Sequence, residues 1–191
     1  PKRSSIRSRK EADLGVDLGK GVRLKIPFIS ANMKTITGDE MAVAVAKAGG
    51  LGLIHRFDND DNIVEMFRRA YVQIKSDEQI GASCGAALDD RKLVDRLVAV
   101  GCRVLAVDVA HGASTIALEQ LQWISKKYPE VLLISGSVAS ADTASAVWEA
   151  GADVVRSGIG VGSLCSTRIE TGCGVPQMTV LSEVYGEACR G

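Results

Sequence analysis

The stretch VAVGCRVLAVDV, residues 98–109, decides the fold class because it joins the end of an amphipathic helix to a buried strand. Gly101 stands just after the last helical turn, where glycine commonly adopts a left-handed conformation that ends the helix. The apolar run that follows is typical of a strand in a parallel sheet covered on both faces. Gly49 and Gly151 occupy the same position in two similar stretches. The sequence therefore predicts repeated transitions from helix to strand.

Strand-like and helix-like segments alternate along the chain. Six short apolar runs begin about 22 to 29 residues apart, the length of one strand, one helix and two loops. The predicted strands are residues 26–30, 51–55, 80–84, 104–109, 131–135 and 153–156. Apolar residues at helical spacing predict helices at residues 39–48, 62–74, 91–100, 116–128, 141–150 and 177–188. Such alternation is typical of an α/β fold.

Polar residues directly follow several predicted strands, among them Asn32, His55, Asp108 and Ser137. A (β/α)8 TIM barrel collects such residues on one face, whereas a doubly wound sheet concentrates them at one switch point. The sequence favours the barrel, of which about six β/α units are present. We expect residues 1–191 to form a single catalytic barrel domain that is incomplete at its C-terminal end.

The composition indicates a globular protein and excludes several classes of function. The 191 residues carry no formal net charge, 46% are hydrophobic and 24% are charged, which argues against broad binding to nucleic acid or membrane surfaces. No apolar run approaches the roughly 18 residues of a membrane span. The basic start, residues 1–9, has no apolar core and is expected to be a solvated arm. We therefore expect no nucleic-acid partner, no membrane partner and a cytoplasmic location.

The cysteines point to one reactive position. They are five in number without a Cys-x-x-Cys pair, so neither a disulfide framework nor a zinc site is indicated. Cys165 ends the stretch GIGVGSLC, residues 158–165, whose alternate glycines let backbone N–H and carbonyl groups turn toward a ligand. A thiolate there can be held by backbone dipoles, which makes Cys165 a candidate nucleophile. The remaining cysteines are expected to be buried structural thiols: Cys84, Cys102, Cys173 and Cys189.

Two consecutive motifs carry a resemblance to a known family. GVGSLCSTR at residues 160–168, followed by GCGVPQ at residues 172–177, resembles the IMP dehydrogenase and GMP reductase family, in a form without the inserted CBS regulatory module. SANM at residues 30–33, GLGLIHR at residues 50–56 and VDVAHG at residues 107–112 support the match. Lys34 and Ser137 depart from it, since the family commonly has Asp and Asn there.

The resemblance implies roles for individual residues. Cys165 would attack C2 of the purine base. Thr167 would help to activate water in a dehydrogenase, or assist the release of ammonia in a reductase. The implied nucleotide-binding residues are Ser163, Met33 and Ala31, the implied cofactor-binding residues are Asp108, Gly158 and Ser137, and the implied ligands of a monovalent cation, K⁺, are the carbonyls of Gly160, Gly162 and Cys165.

The resemblance also implies a reaction, a cofactor and partners. A covalent adduct between Cys165 and C2 would let IMP be oxidised by NAD and water to XMP and NADH, because the adduct divides one difficult step into two easier ones. The first alternative is GMP reductase, which would convert GMP and NADPH to IMP, ammonia and NADP. The second is a barrel fragment that binds nucleotide without turnover. The expected partners are IMP or GMP, and the expected assembly is a homotetramer.

Overall fold

The computed structural model of the protein describes residues 5–190, so the basic residues Lys2 and Arg3 of the predicted arm lie outside the described residues. Its centre is a five-stranded parallel sheet, with strands in chain order, that curls into half of a barrel. The strands are β1 (Val16–Asp17), β2 (Arg23–Leu24), β3 (Leu51–Ile54), β4 (Gln79–Cys84), β5 (Val104–Asp108), β6 (Leu132–Val138) and β7 (Val154–Ser157). The helices are α1 (Asp39–Lys47), α2 (Asp60–Tyr71), α3 (Asp90–Ala99), α4 (Thr115–Lys127), α5 (Ala141–Glu149), α6 (Thr167–Thr171) and α7 (Gln177–Ala188).

The structure confirms the predicted α/β partial barrel and corrects its first strand. Residues 26–30 run beside β3 but form only one bridge, between Ile29 and Leu51. The N–H of Phe28 donates locally to the carbonyl of Ile26 at 2.8 Å, and the N–H of Leu53 donates to the side chain of Ser30 at 2.9 Å, so no second ladder bridge forms. The parallel sheet therefore contains β3 to β7, five strands where the sequence predicted six.

Side chains on the two faces of the sheet form two separate hydrophobic clusters. The larger cluster lies between the sheet and the helices and includes Leu105 and Val107 of β5. The smaller cluster lies on the inner, concave face and includes Val104 and Ala106 of the same strand. Successive side chains of a strand point to opposite faces, so one strand contributes to both clusters.

An antiparallel hairpin, β1 paired with β2, packs against part of the inner face of the half barrel. Val22 and Leu24 of this hairpin are buried in the inner cluster. Lys20 at its turn lies 2.8 Å from the carboxylate of Asp153 and donates a hydrogen bond to the carbonyl of Val131 at 2.9 Å. Val131 and Asp153 directly precede β6 and β7, so these contacts hold the hairpin at the amino ends of those two strands.

The glycine positions after three helices have the predicted backbone conformation. Gly49, Gly101 and Gly151 have φ values of 94°, 97° and 106°, in the left-handed region that favours glycine. Each of these turns leads into the next strand of the sheet, so the glycine fixes where the strand begins. None of the helices within residues 5–190 is long and apolar enough to cross a membrane.

Close packing of α1 on β3 gives a test of the fold. A Cβ atom added at Gly52 would lie 2.2 Å from the carbonyl oxygen of Ala42 in α1. We expect Gly52→Ala to lower the free energy of unfolding by about 1–3 kcal/mol, the usual cost of overpacking a core. Gly186→Ala in α7 is the matched control. Its new Cβ meets no atom within 4 Å, and helix propensity predicts a gain of about 1 kcal/mol. Urea unfolding of both variants measures the difference, and equal stabilities would contradict the packing of α1.

Candidate active site

The loop between β7 and α6 carries the glycine-rich motif and is shaped by positive backbone angles. Gly158 and Gly160 have φ values of 117° and 71°. A Cβ atom at Gly158 would lie 2.3 Å from the Gln177 amide oxygen, and one at Gly160 would lie 2.6 Å from Cγ of Arg168. The side chain of Gln177 also donates a hydrogen bond to the carbonyl of Ser157 at 3.3 Å. The first residue of α7 therefore holds the start of this loop against the end of β7.

Cys165 is half-buried, and its surroundings favour the thiolate. Its Sγ lies 3.2 Å from Oγ1 of Thr167, within hydrogen-bond distance. Hydrogen bonds from the Thr167 hydroxyl and from the Thr167 backbone N–H, together with the positive charge of Arg168, hold the pKa of Cys165 below its usual value. A larger fraction of Cys165 is therefore nucleophilic at neutral pH than in an unperturbed thiol.

The other cysteines divide into two groups. Cys84 and Cys102 are fully buried, as predicted. Burial raises the pKa of Cys84 far above its usual value and raises that of Cys102 to about 12, so both are inert thiols. The prediction of burial is wrong for Cys173 and Cys189, which are exposed. Cys173 lies in the loop after α6 and Cys189 directly follows α7, and both side chains are open to solvent.

The carbonyls proposed for a monovalent cation lie in the same loop. Gly162 accepts a hydrogen bond from the backbone N–H of Cys165 at 3.1 Å. A carbonyl oxygen has two lone pairs, so Gly162 can still serve as a ligand. Backbone carbonyl oxygens are the ligands that K⁺ prefers, and the carbonyls of Gly160, Gly162 and Cys165 are ligands of this kind. Within residues 5–190 no group of three or more His, Cys, Asp or Glu side chains could hold a metal ion.

A polar network crosses the mouth of the half barrel at the carboxyl ends of the strands. Arg156 in β7 forms an ion pair with Asp108 in β5 and donates a hydrogen bond to the side-chain oxygen of Asn32 at 3.0 Å. The amide nitrogen of Asn32 donates to Ser83 in β4 at 2.9 Å. Arg56 donates to the carbonyl of Asp108 at 3.0 Å and lies 3.6 Å from its carboxylate. Two guanidinium groups thus face one carboxylate, so this group of three side chains carries one excess positive charge.

A cavity of about 580 Å³ opens beside this network. Its volume is in the range of small-molecule sites in proteins. It brings together three of the predicted site residues, Ala31, Met33 and Asp108. The walls are mostly apolar and the charged groups stand at one side. The lining residues are Ile29, Ser30, Ala31, Asn32, Met33, Leu53, Phe57, Asp108, Ile134, Val154, Val155 and Arg156.

The remaining predicted site residues lie outside the lining of this cavity. Ser163 is exposed on the β7–α6 loop, and Thr167 begins α6. Ser137 is in β6, where its backbone N–H donates to Val109 at 3.0 Å and its carbonyl accepts from Gly112 at 2.8 Å. The structure therefore groups the predicted site residues into a cavity set and a loop set, and Ser137 in β6 belongs to neither.

His55 ends β3 as a packed residue. It is 4% exposed, and its Nδ1 accepts a hydrogen bond from the backbone N–H of Phe57 at 3.0 Å. Burial holds the pKa of His55 below its usual value. The negative charge of Asp58 opposes this shift of the pKa, and the positive charge of Lys34 adds to it. The ring is therefore neutral at neutral pH, with its proton on Nε2.

Sequence reasoning placed Asn32 among the polar residues that follow the strands, but it did not identify Arg156 as a site residue. The alternation of side chains between the two faces of β7 is the signal that could have indicated Arg156. Val154 belongs to the inner cluster, and Arg156, two residues later, continues the same face beyond the core. No comparable local signal indicates that Asn32 is the partner of Arg156.

Comparison with known proteins identifies relatives over the whole chain. The model of a family described as the IMP dehydrogenase / GMP reductase domain matches residues 1–190. An inosine-5'-monophosphate dehydrogenase of Borreliella burgdorferi is 32% identical over 99% of this chain and 58% of that protein. One of Staphylococcus saprophyticus subsp. saprophyticus is 27% identical over 94% of this chain and 62% of that protein. A GMP reductase of Oenococcus oeni is 31% identical over 91% of this chain and 53% of that protein.

The alignments differ in length as well as in name. The chain spans between 53% and 62% of these three relatives. The match to the Staphylococcus dehydrogenase extends over 303 residues but takes in only 94% of this 191-residue chain, so that relative carries a long insertion. The match to the Oenococcus reductase extends over 179 residues for 91% of the chain and needs almost no insertion.

The environment of Cys165 predicts how its alkylation depends on pH. A lowered pKa means that the thiolate persists to lower pH, so iodoacetamide should modify Cys165 at neutral pH while Cys84 and Cys102 stay unmodified in the folded protein. Thr167→Val removes the hydroxyl hydrogen bond and should move the midpoint of the rate profile to higher pH. Thr167→Ser keeps a hydroxyl and should restore the original midpoint. Mass spectrometry of the labelled peptides measures each rate, and identical profiles for the Val and Ser variants would contradict this role of the hydroxyl.

Proposed function

The chain belongs to the IMP dehydrogenase / GMP reductase family, and on that premise we propose that it is an oxidoreductase acting at C2 of a purine nucleotide through a covalent adduct to Cys165. The observation that carries the proposal is the pairing of Cys165 with Thr167 on the glycine-rich loop, at 3.2 Å between Sγ and Oγ1. A stabilised thiolate beside a hydroxyl provides both a nucleophile and a group that can orient water.

We propose IMP oxidation as the first candidate reaction. The Cys165 thiolate adds to C2 of IMP, which makes that carbon tetrahedral. NAD, when bound, accepts the hydride that leaves C2. Thr167 then positions a water molecule, whose oxygen bonds to C2 while the C2–S bond breaks and one proton is released. The products are XMP, NADH and the free thiolate, so atoms and electrons balance.

GMP reduction is the second candidate, and the nearly insertion-free match to a GMP reductase supports it. In that direction Cys165 adds to C2 of GMP, and the amino group takes up one proton from solvent and leaves as ammonia. C2 then accepts hydride from NADPH, and the C2–S bond breaks to release the thiolate. The triplet at residues 31–33 also favours the reductase. Both reactions use the same nucleophile and differ in the group that leaves C2 and in the direction of hydride transfer.

The cavity supports part of the proposed binding of nucleotide and cofactor, since Ala31, Met33 and Asp108 line it. We assign the nucleotide to Ala31, Met33 and Ser163. Apolar walls suit flat rings, and the positive charge at the mouth suits the anionic groups of NAD or NADP. The proposed cofactor contacts are Asp108, Gly158 and Ser137, and the proposed K⁺ ligands are the carbonyls of Gly160, Gly162 and Cys165.

We also propose an oligomeric state and a cellular location for the protein. The family resemblance supports a homotetramer built from one catalytic barrel domain per chain. Five cysteines without a predicted disulfide framework suit a reducing compartment, which supports a cytoplasmic location.

An absorbance assay at the nicotinamide band distinguishes the candidate functions. The protein is mixed with IMP plus NAD in one cuvette and with GMP plus NADPH in another. A rise in the first cuvette supports the dehydrogenase, and a fall in the second supports the reductase. If the absorbance changes in neither cuvette while the protein still binds nucleotide, both reactions are contradicted and the non-catalytic nucleotide-binding alternative is supported.

The covalent step predicts the effect of removing the nucleophile. Cys165→Ala should lower kcat by on the order of 10³ or more, the scale seen when a catalytic nucleophile is deleted. Its circular dichroism spectrum and unfolding midpoint should match those of the original protein, because Cys165 is not a core residue. Cys173→Ala is the control, since Cys173 is an exposed cysteine nearby in sequence, and it should keep near-original activity. Substantial turnover by Cys165→Ala would remove the covalent mechanism.

A further inference from the structure

Asn32 is a buried polar residue whose side-chain oxygen and nitrogen both have protein partners. It is 7% exposed. Its oxygen accepts a hydrogen bond from Arg156 at 3.0 Å, and its nitrogen donates one to Ser83 at 2.9 Å. Ser83 is fully buried in β4. The sheet therefore fixes the orientation of the Asn32 amide, and that orientation presents an oxygen to Arg156.

The backbone around Asn32 is held by its own hydrogen bonds. The carbonyl of Ala31 accepts from the Thr37 hydroxyl at 2.6 Å and from the Met33 N–H at 2.9 Å. The carbonyl of Met33 accepts from the Thr37 N–H at 3.0 Å. Ala31 and Met33, the residues on either side of Asn32, are therefore held with it in one short hydrogen-bonded segment.

Arg156 connects this loop to Asp108. The side chains of Arg156 and Asp108 are 35% and 16% exposed, so both are partly open to the cavity that they line. Arg56 holds the other side of Asp108. Arg156 is therefore paired with Asp108 on one side and with Asn32 on the other.

We propose that the hydrogen bond between Asn32 and Arg156 couples the binding of nucleotide to the binding of cofactor. The inference rests on the proposed function, which assigns Ala31 and Met33 to the nucleotide and Asp108 to the cofactor. Asn32 and Arg156 are positioning residues in this scheme. The first ligand to bind orders the shared network, so the second ligand loses less conformational freedom on binding. Linkage requires that the effect be reciprocal.

Binding measurements on Cys165→Ala test the coupling without turnover. Isothermal titration gives the affinity for IMP with and without saturating NAD, and for GMP with and without saturating NADPH. We expect the second ligand to tighten nucleotide binding by about fivefold or more for the matching pair, the lower end of typical coupling between sites. The reverse titration should give the same factor.

Variants of the hydrogen bond identify its part in this effect. Asn32→Ala and Arg156→Met, each in the Cys165→Ala background, should reduce the coupling factor to about one while the affinity for nucleotide alone changes only a few-fold. Arg156→Lys keeps a positive charge near Asp108 but lacks the planar fork that reaches Asn32, and it should also lose the coupling. This milder variant keeps the test valid if Asn32→Ala fails to fold.

A matched control removes an ion pair at the amino end of β7, the strand that carries Arg156. Lys20→Met breaks the 2.8 Å contact with Asp153, whose side chain is also partly buried, and should leave the coupling factor unchanged. Undiminished coupling in Asn32→Ala or in Arg156→Lys would overturn the inference while leaving the proposed function intact. Failure of the unmodified protein and of Cys165→Ala to bind either nucleotide would overturn the proposed function, and this inference with it.

Discussion

The alternation of side chains between the two faces of the parallel strands governs both the core and the candidate site. In β5, Leu105 and Val107 pack against the helices, while Val104 and Ala106 fill the inner face. Asp108 is the next residue in the inner row. Because a strand has a period of two, the row that fills the half barrel also delivers a carboxylate to its mouth. A register shift of one residue would bury that charge against the helices and expose the apolar row.

Much of the fold could be predicted because its signals are local. Continuous apolar runs mark β3 to β7, and Gly49, Gly101 and Gly151 mark the turns before three of those strands. The β1–β2 hairpin could not be predicted, since strands of two residues show no periodicity. Val22 and Leu24 were therefore not recognised as core residues. The prediction of a strand at residues 26–30 is wrong because the composition of a segment does not show how many backbone hydrogen bonds it will form with a neighbouring strand.

The candidate site shows the same division between local and distant signals. Cys165 was identified from its motif, and its contact with Thr167 spans only two residues. Arg156 and Asn32 lie 124 residues apart, and their hydrogen bond arises only when the sheet brings the loop after residue 30 to the end of β7. The prediction that Cys173 is buried is wrong for a related reason. Burial depends on which elements pack over a loop, and no pattern within the loop records it.

This division separates the proposed nucleophile from the residues proposed to bind ligands. The hydrogen bonds and the charge that stabilise the Cys165 thiolate come from Thr167 and Arg168, in the first turn of α6. Reactivity of the thiol therefore depends on a short segment that is largely independent of the sheet. The cavity beside Asp108 depends on contacts between β4, β5, β7 and the loop that carries Asn32. Changes in sheet packing should consequently alter ligand affinity and geometry before they alter the nucleophile, which makes the two properties separable by mutation.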